Sequence, residues 1–141
     1  MDNKYEALKL KNQLCFPLYA AAKEIIKKYT PVLDKYNLTY TQYIALMVLW
    51  EEDELTVKAL GQKLFLDSGT LTPVLKSLEQ KGYVTRRRAE GDERSVKIFL
   101  TKEGSELKDR ALNIPQEISA CVNLSPEEAM TLYELLYKLL Q

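Results

Sequence analysis

Apolar residues recur at intervals of three and four through the first quarter of the chain. Leu14, Leu18, Ala21, Ala22, Ile25, Ile26 and Tyr29 share one helical face. The spacing predicts an amphipathic helix reaching about Thr30, with Pro31 helping to end it. Pro17 fits the first turn, where its missing N–H costs nothing. Cys15 then sits at or just outside the helix N-terminus, and Leu10 and Leu14 extend the stripe upstream as a separate short segment.

The pattern restarts at Thr39, an N-cap for a helix whose buried face is Tyr43, Leu46, Met47 and Trp50. Glu51 to Glu54 reads as a solvated acidic turn. Leu55-Thr56-Val57 suits a short strand, with Thr56 capping a helix through Leu64. Phe65 to Asp67 joins it to a second helix that starts between Ser68 and Thr72, keeps Pro73 in its opening turn and ends at Gly82. The period then changes to two. Tyr83 to Arg88 and Ser95 to Leu100 alternate as half-buried strands do, around the turn Ala-Glu-Gly-Asp-Glu. Helical spacing returns after Thr101, from about Lys102 to Cys121, with Pro115 kinking or interrupting it. Ser125-Pro126-Glu127-Glu128 is a capping box opening a last helix with Met130, Leu132, Tyr133, Leu135, Leu136, Leu139 and Leu140. That helix is apolar over more of its girth than a lone surface helix needs, so it and the first helix are expected to bury those faces on a second subunit.

Helix, turn, helix and basic hairpin, in that order, are the layout of a winged helix-turn-helix, a mainly α fold with a small β wing. At 141 residues the chain suits one domain. Residues 39–104 form the expected DNA-binding region, and 1–38 with 105–141 the helical dimerisation region. The net charge of zero counts mildly against nucleic acid. Its distribution answers that: Lys81, Arg86, Arg87, Arg88, Arg94 and Lys97 outweigh Glu90, Asp92 and Glu93 locally.

On the second helix of the pair, Ser68, Thr70 and Thr72 offer hydroxyls to phosphates or base edges, and Lys76 lies a turn further on. Ser68 or Thr70 also suits the helix cap, and capping and contact can coexist. On the hairpin, Arg94 is placed to enter a minor groove, steadied by Asp92 two residues earlier. If Arg94 reads a base edge, its loss weakens binding by ~1–3 kcal/mol. Arg86 and Arg88 share a strand face suited to phosphates, while Arg87 reads as a solvated charge. Ser95, at the start of the second strand, is counted with the DNA-binding residues of the wing. Two such heads on a two-fold axis read a pseudo-palindromic duplex operator, with half-sites about 10–10.5 base pairs apart or a multiple of that.

The chain has no histidine, which removes His-dependent nucleophilic designs and most zinc sites. Cys15 and Cys121 match no metal-ligand spacing. No apolar run spans a bilayer and no signal-peptide pattern opens the chain, so a cytoplasmic protein without a membrane role is expected. On composition alone both cysteines read as small buried hydrophobes, and the tyrosines as core or interface residues.

Asp92-Glu93-Arg94-Ser95, followed by Leu100-Thr101-x-x-Gly104, resembles the wing signature of the MarR family of winged-helix repressors. Asn12-Gln13-Leu14-Cys15-Phe16, Tyr19-Ala20, Leu33-Asp34-Lys35, Thr39-Tyr40-x-Gln42-Tyr43 and Leu66 to Pro73 resemble its organic hydroperoxide sensor (OhrR) branch. The resemblance covers nearly the whole chain. It implies an intertwined homodimer that holds its operator when reduced and releases it when a reactive cysteine is oxidised. Cys15 sits at the matching position, and Tyr19, Tyr29 and Tyr40 match the tyrosines around that sulfur. Cys121 resembles the second cysteine that in some members closes a disulfide between subunits. One-cysteine members point instead to a low-molecular-weight thiol.

Thiolate chemistry supports this. A thiolate attacks a peroxide oxygen, and helix N-termini and phenolic O–H donors favour that anion. Leu14, Phe16 and Leu18 make an apolar approach suited to organic hydroperoxides. The expectation is a repressor, with no cofactor and no catalytic turnover. The main alternative is a MarR-type regulator released by a small aromatic or amphipathic ligand, with inert cysteines. A thiol peroxidase lacks support, because no alternating βαβ pattern is present.

Overall fold

A computed structural model describes residues 3–88 and 95–141. The elements run α1 (Cys15–Asp34), α2 (Tyr40–Glu51), β1 (Leu55–Thr56), α3 (Val57–Leu64), α4 (Ser68–Gln80), β2 (Val84–Arg88), β3 (Val96–Leu100), α5 (Lys102–Arg110), α6 (Ile114–Ser119) and α7 (Pro126–Leu139). Two short 3-10 turns, Glu6–Leu8 and Leu10–Asn12, precede α1. The sheet is antiparallel in the order β1-β3-β2, so β2 is an edge strand. Arg86 stands opposite Ile98, and Leu55 pairs with Ile98 from the other side.

Local chemistry fixes most helix starts. The Thr39 hydroxyl accepts from Gln42 N at 3.3 Å and the Gln42 side chain accepts from Thr39 N at 3.1 Å, a reciprocal capping box. Thr56, Thr101 and Ser125 cap α3, α5 and α7 by the same logic. Gly82, at φ 85°, ends α4 and turns the chain into β2.

Several expectations are corrected. The first helix does not end at Thr30 but continues through Pro31 to Asp34. The N–H that Pro31 lacks is outweighed by Leu33, which is only 1% exposed in the core. Likewise α4 begins at Ser68, so Pro73 lies in the helix interior and not in the opening turn, held by Leu71, Leu75 and Leu78 packed inward. Met47 is exposed; Ala45 and Leu49 take its place on the buried face of α2. The stretch from Lys102 is interrupted as Pro115 suggested, into α5 and α6, with Pro115 in the first turn of the second, and the helix ends at Ser119 and not at Cys121.

The core gathers Leu46, Leu49, Leu60, Leu71, Leu75, Leu78, Ile98, Leu107 and Ile114 around α2. It orders the helix pair and the sheet as one body. The apolar faces of the outer helices do not join it. No residue of α7 is buried, and Met130, Tyr133, Leu135 and Leu139 face outward. Leu14, just before α1, is 80% exposed, and Phe16, Leu18 and Ile26 on α1 are exposed too. No described helix is long and apolar enough to cross a membrane.

Candidate nucleic-acid interface and thiol site

The start of α4 stands open. Ser68, Thr70 and Lys76 are exposed, whereas Leu71, Leu75 and Leu78 anchor the opposite face. Neither Ser68 nor Thr70 is the cap; Asp67 is, its carboxylate accepting from Thr70 N at 2.7 Å. That backbone bond holds the Asp67 carboxyl below its ordinary range. The pattern Asp67-Ser-Gly-Thr70 carries that cap in the sequence itself, an Asp three residues before the N–H it accepts from. Thr72 turns back on its own helix, donating to Ser68 O at 2.7 Å, and is partly buried. Ser68 and Thr70 are therefore better presented than Thr72.

The hairpin packs beside α4. Arg86 is not simply a phosphate-facing charge: its backbone N–H and its Nε each donate to the Glu79 carboxylate at 3.1 Å. Arg87 departs from a merely solvated charge, because its guanidinium lies over the Phe99 ring at 4.1 Å from the centroid. Arg88 is exposed at the end of β2, and Ser95 leads into β3. Asp92 and Arg94 lie outside the described residues.

Cys15 is the first residue of α1, exposed, with a free thiol. Tyr19, one turn further and on the same side, is exposed as well. Tyr29 and Tyr40 do meet, ring centroids 4.8 Å apart, and Tyr43 joins them at 6.0 and 6.5 Å. Burial raises the phenols of Tyr29 and Tyr40, and that of Tyr43 is pushed up to about 12. All three rings therefore keep their protons at neutral pH. Tyr43 was assigned only to the core in the sequence.

Cys15 is not beside these rings in its own subunit. Cys15 and Tyr29 sit fourteen positions apart on one helix, about 21 Å at 1.5 Å per residue. Cys121 is equally distant. Lys28, thirteen positions from Cys15, donates to the Cys121 carbonyl at 2.8 Å. Cys121 is exposed, and its Sγ lies 3.5 Å from the Glu117 carbonyl oxygen.

An open helix start, backed by a core and flanked by a basic hairpin, defines a winged-helix transcriptional regulator. The family described as transcriptional regulator SarA/Rot matches residues 27–111. The organic hydroperoxide resistance transcriptional regulator of Bacillus subtilis (strain 168) is 53% identical over 141 residues, spanning 100% of this chain and 96% of that protein. Two solved structures superpose with a TM-score of 0.79 each: overoxidized AbfR bound to DNA and reduced AbfR bound to DNA. They are 38% and 37% identical, each over 97% of this chain, and are covered to 96% and 95%. The chain belongs to the MarR family of winged-helix regulators, in its organic hydroperoxide branch.

Proposed function

We propose that this protein is a transcriptional repressor that holds operator DNA when reduced and lets go when an organic hydroperoxide oxidises Cys15. The observation that carries the reading is the exposed thiol of Cys15 at the opening of α1, in a chain 53% identical throughout to an organic hydroperoxide resistance regulator. The AbfR structures bound to DNA support duplex DNA as the partner.

The reaction balances on one sulfur. The Cys15 thiolate attacks the terminal peroxide oxygen, the O–O bond breaks, and the alkoxide leaves as an alcohol after taking a proton. The sulfur loses two electrons and becomes a sulfenic acid. Condensation with a second thiol, from Cys121 or a small molecule, forms a disulfide and releases water.

The homodimer follows from exposed apolar surface. The outward faces of α1 and α7 are too extensive for an isolated chain, and a second copy covers them. Residues 1–38 and 105–141 supply most of that interface, while 39–104 carry the DNA-reading surface. Tyr29 and Tyr40 then meet Cys15 across the dimer, since the length of α1 keeps them apart within a subunit. Tyr19 reaches it from the same helix. Ser68, Thr70, Lys76, Arg88 and the hairpin tip with Asp92 and Arg94 contact the duplex, with Thr72, Arg86 and Ser95 shaping that surface. The protein acts as a regulator and not as an enzyme; its relatives are described as transcriptional regulators.

Cys15→Ser tests the reading. The variant is expected to bind a promoter duplex like the reduced wild type and to stay bound after cumene hydroperoxide. Peroxide-driven release from Cys15→Ser overturns the thiol switch. It would favour control by a small aromatic or amphipathic ligand.

A further inference from the structure

The site the sequence reading did not anticipate is the contact between Glu79 and Arg86. We propose that Glu79 is a positioning residue for DNA reading: through Arg86 it fixes the tilt of the hairpin against α4, the recognition helix of that reading. The inference rests on the DNA-reading function proposed above.

Glu79 lies in the last turn of α4, and Arg86 lies in the middle of β2. Only residues 81–83 join the two elements, and Gly82 at φ 85° is the pivot. The sheet is seated on the core through Val84 and Ile98 and through the pairing of β1 with β3. The Glu79 carboxylate adds a further attachment on the outer edge of β2, where no strand pairs. One oxygen accepts the Arg86 Nε at 3.1 Å, and the other accepts the Arg86 backbone N–H at 3.1 Å. The backbone bond matters most, because β2 is the edge strand and pairs with β3 on one side only. Glu79 thus grips the strand itself and not merely a mobile side chain. Both side chains are partly screened from solvent, at 37% and 29% exposed. Arg88 lies two residues further along the same strand face. A tilt at Arg86 therefore carries Arg88 with it.

The sign of the effect separates positioning from charge. Glu79 is an anion close to a surface built for phosphates. If it acted by charge alone, removing it would tighten DNA binding, since a repulsion disappears and Arg86 is released. A clamp predicts the opposite: weaker binding and a hairpin that no longer finds its groove. Minor-groove reading distinguishes A·T from G·C pairs and little else, whereas major-groove reading distinguishes all pairs. The two contributions therefore leave different marks on a base-preference profile.

The test uses full-length protein under reducing conditions and a pool of duplexes with a randomised 30-base-pair core. Wild type is expected to enrich a two-fold motif with four-base discrimination at the recognition-helix positions and A·T preference beside them. Glu79→Ala is expected to bind the enriched duplex at least fivefold more weakly and to lose the flanking A·T preference while keeping the four-base positions. Glu79→Gln, which retains an acceptor for the Arg86 N–H, falls between. It also decides the matter if the alanine variant fails to fold. An unchanged flanking preference in both variants overturns the clamp, as does tighter binding with the profile intact. If wild type enriches no sequence at all, the DNA-reading proposal falls, and the clamp with it.

Discussion

Gln42 Nε2 donates to the Ser77 hydroxyl at 2.9 Å, joining the start of α2 to the last turn of α4. Gln42 is 5% exposed, and its carbonyl oxygen accepts from Lys81 Nζ at 2.8 Å as well as from Thr39 N. Lys81 also donates to the Asn37 carbonyl in the α1–α2 turn. One amide therefore binds three segments, each of which loses a partner if it is removed. Gln42→Leu is expected to lower stability by roughly 1–3 kcal/mol, because those groups are left without bonds in a partly dry environment. The urea midpoint reads this directly. A midpoint equal to wild type would mean that water replaces the amide without loss.

The tyrosine cluster predicts alkaline sensitivity. Burial, and then the neighbouring phenols Tyr29 and Tyr40, push Tyr43 from the usual 10 up to about 12. The unfolded chain ionises first, so it binds fewer protons than the folded chain between those values. Stability is therefore fully present below pH 10 and falls as pH rises toward 12. Lys81 works in the opposite sense, since burial holds its ammonium below the usual range. Urea titrations from pH 9 to 12 are expected to show a steeper decline in wild type than in Tyr43→Phe. Parallel curves would remove Tyr43 as the cause.

Gly104 packs where no side chain fits. A β-carbon there would collide with the Tyr83 carbonyl oxygen, at the point where α5 crosses the start of β2. The same carbonyl accepts from Thr101 N at 3.1 Å, and Trp50 Nε1 donates to Gly104 O at 2.9 Å. Neither neighbour can move without breaking a bond. Gly104→Ala is expected to cost at least the ~1–3 kcal/mol typical of overpacking. A shift of the Trp50 fluorescence would accompany it. Unchanged emission and an unchanged thermal midpoint would contradict the close approach.

The caps at Thr39, Thr56, Thr101 and Ser125 were legible because a cap is local: the hydroxyl and its N–H lie three residues apart. The hairpin was legible because its period of two is local as well. Pro31 and Pro73 were misjudged because the rule that proline ends helices weighs one lost bond, whereas Leu33 and Leu75 are held by the core. Met47 and Ala45 traded places for a related reason. Helix α2 is apolar nearly all round, so periodicity within it marks no single inner face. The exposed hydroxyls at the start of α4 were visible by type and place, but the engagement of Arg86 was not. Its partner Glu79 comes from a different element, across a glycine turn, and no sequence period links the two. The outward apolar faces of α1 and α7 were anticipated correctly, because an excess of apolar girth shows in the sequence itself.

The length of α1 makes a sharp prediction about disulfides. Cys15 opens the helix, and Cys121 lies against Lys28 near its far end, about 20 Å away along the axis. A disulfide requires α-carbons within about 7 Å. A bond between these two sulfurs within one subunit would need α1 to come apart, whereas a bond between subunits needs only suitable packing of the dimer. One equivalent of cumene hydroperoxide is therefore expected to give a covalent dimer on non-reducing electrophoresis, reversed by dithiothreitol. Cys121→Ser is expected to abolish that band. In the presence of free cysteine it should instead gain the mass of one mixed disulfide at Cys15. A covalent dimer that survives in Cys121→Ser would mean that Cys15 pairs with itself across the two-fold axis. A monomer that loses two hydrogens would mean that α1 unwinds on oxidation.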